Sequence, residues 1–135
     1  MLGPLPANDM ATILIADDEP AIREVIRRIL LLDHHRVIEA GDGEEAIQLI
    51  RAEKPDLALV DLFMPRKEGL ETIMQLRRQF PDLKLIAISG GNPTHGMSFL
   101  ELAQRLGAHR TLAKPFAMQD VLSAVNGLIN PAPPA

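Results

Sequence analysis

Three aspartates, a serine and a lysine are the residues of this chain whose types and placement could do chemistry together. Asp17 and Asp18 stand in "ILIADDEP", Asp61 in "LALVDLFMP", Ser89 in "LIAISG" and Lys114 in "TLAKPF". Each sits at or just after the end of a short apolar run. Two adjacent ionised carboxylates repel each other, so Asp17 and Asp18 need either free solvation or a cation between them. With Asp61 beside them the three carry about −3 when ionised, and a divalent ion together with the Lys114 ammonium brings the group near neutrality. Oxygen donors with no His or Cys among them suit Mg²⁺, which keeps several waters and binds through one or two carboxylates plus a phosphate. A carboxylate next to that ion can act as a nucleophile toward phosphorus.

Such chemistry requires elements that deliver all five residues to one rim. Five β-rich apolar runs, "TILIA", "RVIEA", "DLALV", "KLIAI" and "RTLA", alternate with longer stretches of helical spacing. Ile22, Val25, Ile26 and Ile29 share one helical face, and Pro20 suits the first turn of that helix. The spacing predicts further helices over 44–52, 70–80, 97–106 and 118–129. Strict alternation of strand and helix predicts a doubly wound α/β fold, a five-stranded parallel sheet with helices on both faces. Runs buried on both faces should be almost wholly apolar, so "RVIEA" and "RTLA" read as edges. The flavodoxin-like order 2-1-3-4-5 puts those two at the ends. In that order ligands collect at the carboxyl ends of the strands, beside the switch point between the first and third, where Asp17 and Asp61 would stand.

Composition narrows the function classes. A chain of 135 residues that is 47% hydrophobic has the material for one domain, expected over 11–130 between a proline-bearing tail at 1–10 and a proline-rich one at 131–135. Whether Met1 or Met10 starts the natural chain is open. The formal charge of −4 argues against a surface for nucleic acid or anionic membrane, and no apolar run reaches spanning length. Without cysteine there is no disulfide framework, which is compatible with the cytoplasm. His34 and His35 read as a solvated pair, and His95 and His109 carry no signal.

The segments "ADDEP", "LVDLFMPRKEG", "AISG" and "AKPF", in this order and spacing between Thr12 and Ile129, resemble the receiver domain of two-component response regulators. Each motif alone is weak; the set is specific. The resemblance implies that Asp61 is the phospho-acceptor, that Asp18 ligates Mg²⁺ directly with Asp17 assisting through water, and that the Phe63 backbone carbonyl completes the protein ligands. It implies that Ser89 hydrogen-bonds the phosphoryl group, that Lys114 pairs with it, and that the Lys114–Pro115 bond is cis. A histidine kinase or histidine phosphotransfer protein would be the donor. A downstream protein would dock on the face made by the fourth helix, fifth strand and fifth helix. Catalysis would be limited to the chain's own phosphotransfer and dephosphorylation. The layout is similar to that of single-domain chemotaxis regulators, though a receiver cut from a larger regulator would read the same.

Departures from the family pattern are equally specific. Thr111 stands where the family usually has an aromatic switch residue, and the chain has no Tyr or Trp. Phe63 and Gly91 occupy positions that help set the dephosphorylation rate in the family, and neither side chain can orient a water. "SGGNPTHG" makes a long glycine-rich connection after the fourth strand. Three other readings compete. A flavin carrier would flank its ring with aromatics, a haloacid-dehalogenase-type phosphatase would want D-x-D where this chain has "ADDEP", and a degenerate receiver would bind partners without phosphorylation.

Overall fold

The structure, a computed structural model, describes residues 11–62, 69–89 and 99–129. Its elements follow one another as β1 (Thr12–Ala16), α1 (Pro20–Leu32), β2 (Arg36–Ala40), α2 (Gly43–Glu53), β3 (Leu57–Asp61), α3 (Gly69–Gln79), β4 (Lys84–Ser89), α4 (Phe99–Leu106), β5 (Arg110–Ala113) and α5 (Met118–Ile129). The five strands form one parallel sheet in the order β2-β1-β3-β4-β5. This is the doubly wound arrangement that the alternating runs require. Phe63, Pro65 and Gly91, the glycine-rich connection after Ser89 and the expected helix start at Met97 lie outside the described residues.

The sheet separates two cores because successive strand residues point to opposite faces. Ile13, Ile15, Leu57, Leu59, Ile86 and Ile88 pack with Ile26, Leu30, Val121 and Val125 of α1 and α5. Leu14, Ala58, Val60, Leu85 and Ala87 pack on the other side with Ile47, Ile50, Ile73, Leu76 and Ala103 of α2, α3 and α4. Every residue of β3 is buried, whereas β2 and β5 are largely exposed or half-buried, as edge strands should be. Burying one such Leu or Ile contributes about 1.5–3 kcal/mol, so the sheet is a rigid base for whatever stands on its rim.

Helix starts follow local polar chemistry. Asp42 caps α2 by accepting from the Glu45 N–H at 2.8 Å, while the Glu45 carboxylate accepts from the Gly41 N–H at 2.7 Å. Pro20 opens α1, where a missing N–H costs nothing.

The histidine pair departs from the sequence reading. His34 is exposed in a left-handed turn at φ 67, but His35 is buried, its Nδ1 accepting from the Ala11 N–H at 3.2 Å and its Nε2 lying 3.2 Å from Asp33 Oδ2. Between α1 and β2 the chain reverses within Asp33–His34, and that turn swings the second imidazole under the start of β1. Helical spacing is the wrong frame for two residues that follow the helix.

Candidate functional site

The rim at the carboxyl ends of β1, β3 and β5 assembles as their register dictates. Ala16 pairs with Val60, Asp61 with Ile88 and Ser89 with Ala113, so the residues that follow β1 and end β3 and β4 stand side by side. The Lys114 N–H donates to the Ser89 carbonyl at 2.7 Å, carrying the β4–β5 pairing one residue further, and the Lys114–Pro115 peptide is cis. From that position the Lys114 ammonium reaches three carboxylates: Asp61 Oδ2 at 2.9 Å, Glu19 Oε1 at 3.0 Å and Asp17 Oδ2 at 3.1 Å. Its side chain is only 13% exposed, so the charge is held by these carboxylates rather than by bulk water.

Asp17 is wholly buried and held at every group. Its N–H donates to the Ala40 carbonyl at 3.1 Å, its Oδ1 accepts from the Glu19 N–H at 2.9 Å, and its own carbonyl accepts from Arg23 Nη1 at 2.6 Å. Asp17 Oδ2 has the ion contact with Lys114 but no aligned hydrogen bond. Burial pushes the Asp17 carboxyl up to about 6. The Glu19 N–H works against that rise, the Asp61 charge adds to it and Lys114 opposes it. Burial also works against the Lys114 charge. Hydrogen bonds to Asp61 and Glu19 and the charges of Asp61 and Asp17 outweigh it, so the ammonium is held more firmly protonated than an ordinary lysine.

One oxygen from each of Asp17, Asp18, Glu19 and Asp61 lies within 4.8 Å of the others. Asp61 is buried and Asp18 exposed, so the cluster runs from the sheet to solvent. Among the described residues, four carboxylates face one ammonium, which leaves negative charge over, and every donor is a hard oxygen. The buried Asp17 oxygen without an aligned donor is a further sign that a cation fits here. The donor set is compatible with Mg²⁺.

Asp17, Asp18, Asp61, Ser89 and Lys114 thus come to one rim as the sequence analysis expects, with Ser89 buried at the end of β4. Phe63, the expected carbonyl ligand, is outside the described residues. Thr111 is half-buried on β5, two register steps before the Ser89–Ala113 pair at the rim. It lines a groove of about 440 Å³ with Arg110, Phe116, Asp120, Ser123 and Ala124. Two participants were not assigned from sequence. Glu19 lies 95 residues from Lys114 and Arg23 acts on a backbone carbonyl. The only available signal was Glu19's place beside the two aspartates.

Comparison with known proteins agrees with this geometry. A family model described as the response regulator receiver domain matches residues 13–126. "Response regulator MprA" of Mycolicibacterium vanbaalenii is 35% identical over 122 residues, covering 90% of this chain and 52% of that protein. The MprA of Mycobacterium tuberculosis is 34% identical with the same coverage. The chain spans about half the length of these curated relatives. Among solved structures, a CheY-like receiver domain protein from Methanospirillum hungatei superposes with a TM-score of 0.81 at 26% identity, covering 90% of this chain and 94% of that one. The receiver domain of NtrX from Brucella abortus gives 0.80 at 28% identity, covering 89% and 99%. With the family match extending from β1 into α5 and the acidic rim in place, this chain belongs to the response regulator receiver domain family.

Proposed function

We propose that this chain is a phospho-acceptor signalling module: Asp61 takes a phosphoryl group from a histidine kinase or histidine phosphotransfer protein, and the modified domain signals by docking on a downstream protein. The observation that carries this reading is Lys114 Nζ, 2.9 Å from Asp61 Oδ2 and 3.1 Å from Asp17 Oδ2, on the edge of a four-carboxylate cluster. An Asp61 carboxylate oxygen attacks phosphorus as the bond from phosphorus to the donor's imidazole nitrogen breaks; with the ring's other nitrogen protonated before transfer, the bonding pair stays on the departing nitrogen and the products are an acyl phosphate and a neutral imidazole. Asp18 and Asp61, with the Phe63 carbonyl, are the groups that would hold Mg²⁺, and Asp17 would assist through water. When bound, the ion supplies positive charge between the carboxylates and the phosphoryl oxygens.

The chain's own residues do the positioning. Burial at the end of β3 fixes Asp61, and Lys114 already points at it. Ser89, on the neighbouring strand end, hydrogen-bonds the phosphoryl group and couples it to the chain that follows β4. Receiver function is assigned to 11–130, with 1–10 and 131–135 as tails, and output to the face of α4, β5 and α5. The acceptor chemistry is the same whether the chain works alone, like a chemotaxis regulator, or within a longer regulator.

Phosphotransfer from a panel of autophosphorylated histidine kinases tests the reading. Label should pass to the wild-type chain in the presence of Mg²⁺ and not to Asp61→Asn. A chain that binds partners equally well with and without phosphorylation would instead be a phosphorylation-independent binding module.

A further inference from the structure

Arg23 projects from the first turn of α1 toward the rim, yet it touches none of the acidic oxygens there. Its Nη1 donates to the backbone carbonyl of Asp17 at 2.6 Å, and its Nε donates to Glu39 Oε1 on β2 at 3.3 Å. The Arg23 side chain is mostly buried, 22% exposed, and Nη1 lies 3.7 Å from where a Cβ on Gly41 would stand. It therefore spans the end of β1, the end of β2 and the turn after β2, and its anchor on the rim is the peptide joining Asp17 to Asp18. A planar guanidinium with donors in a fixed fork is suited to holding a carbonyl and a carboxylate at once.

We propose that Arg23 is a positioning residue for the acidic rim: by clamping the Asp17–Asp18 peptide it fixes the direction in which the Asp18 carboxylate leaves β1, and so sets the site's affinity for Mg²⁺. This rests on the Mg²⁺-dependent acceptor role proposed above. Asp17 is otherwise tied through its N–H to β2, through Oδ1 to Glu19 and through Oδ2 to Lys114, and among the described residues it is the Arg23 bond to its carbonyl that holds the plane of the Asp17–Asp18 peptide. Asp18 is exposed, and no described residue hydrogen-bonds its carboxylate. Its orientation depends on the peptide before it.

The sign of the effect separates positioning from plain electrostatics. Removing a positive charge beside an acidic cluster should, by Coulomb's law, tighten binding of a dication. Removing the clamp should weaken it. Outer groups that orient metal ligands typically change metal affinity by about 10–100-fold when lost. Mg²⁺ binding is measured by calorimetry on the full chain for wild type, Arg23→Met, Arg23→Lys and Arg27→Met, with denaturant unfolding of each as a check on the fold. Arg27→Met removes an equal charge from the same helix, where the partners are Glu24 and Glu39 rather than the Asp17 carbonyl.

The expected results are an Mg²⁺ dissociation constant about tenfold weaker for Arg23→Met and a smaller weakening for Arg23→Lys. Arg27→Met should match wild type or bind slightly tighter. If Arg23→Met does not fold, Arg23→Lys decides. Affinity equal to or tighter than wild type in the Arg23 variants, with the fold intact, overturns the positioning role while leaving the acceptor role standing. A wild-type chain that binds no Mg²⁺ overturns both.

Discussion

Lys114 Nζ and Asp61 Oδ2 lie 2.9 Å apart across 53 residues of sequence, joining the end of β5 to the end of β3 over the intervening strand β4. The contact is mostly buried, and the same ammonium also answers Asp17 and Glu19. Among the described residues, this one ammonium bridges three carboxylates.

Replacing Lys114 with Met should therefore destabilise the chain by about 3 kcal/mol, since breaking a buried pair leaves its partner charge uncompensated. Mg²⁺ should restore more stability to Lys114→Met than it adds to wild type, because the ion then supplies the missing charge. Denaturant unfolding with and without Mg²⁺ checks this. An equal Mg²⁺ increment in both proteins would mean that ion and ammonium do not serve the same carboxylates.

Ser89 ends β4, and its carbonyl already receives the Lys114 N–H. Drawing the Ser89 hydroxyl to a phosphoryl group should shift α4 and β5 together, with no aromatic turning inward because Thr111 is short. A few kcal/mol between two states suffices to change partner affinity tenfold or more, which one charge-assisted hydrogen bond and the Lys114 pair can supply. On adding beryllofluoride and Mg²⁺, amide shifts should extend from the rim into α4, and more weakly to Thr111. Ser89→Ala should shrink them while leaving Asp61 phosphorylatable. Shifts that vanish in Thr111→Ala but persist in Ser89→Ala would reverse the assignment.

The opposite end of the sheet has its own titration. His109 Nδ1 accepts from the Leu85 N–H at 3.1 Å and lies 3.2 Å from Arg77 Nη2. Arg77 also donates to the Pro81, Leu83 and Gly107 carbonyls. Burial, then the charges of Arg77 and Lys84, hold the His109 pKa below its ordinary 6.5. The unfolded chain therefore takes up the proton first as pH falls, and stability contributed by neutral His109 is lost below about pH 6.5. Wild type should lose more stability than His109→Asn between pH 7.5 and 5.5. The comparison cancels Asp17, which titrates in both. Parallel pH profiles would contradict the prediction.

The order of the strands, the two edges and the common rim of Asp17, Asp61, Ser89 and Lys114 were legible because apolar periodicity fixes which strands are buried and where each one ends. Glu19 and Arg23 were not. Their contacts, to an ammonium 95 residues away and to a backbone carbonyl, depend on side-chain reach from the N-cap and the first turn of α1. The burial of His35 depends on a left-handed turn at His34 that no spacing rule marks. His109 likewise became informative only when β5 was laid beside β4, placing its ring on the Leu85 N–H.

The central claim, that Asp61 is the residue that accepts phosphorus, is tested most directly by the intact mass of the chain after incubation with acetyl phosphate and Mg²⁺. The gain of one phosphoryl group should appear in wild type, disappear in Asp61→Asn and be suppressed by a chelator. A gain of the same size in Asp61→Asn, or one indifferent to chelation, would contradict the account.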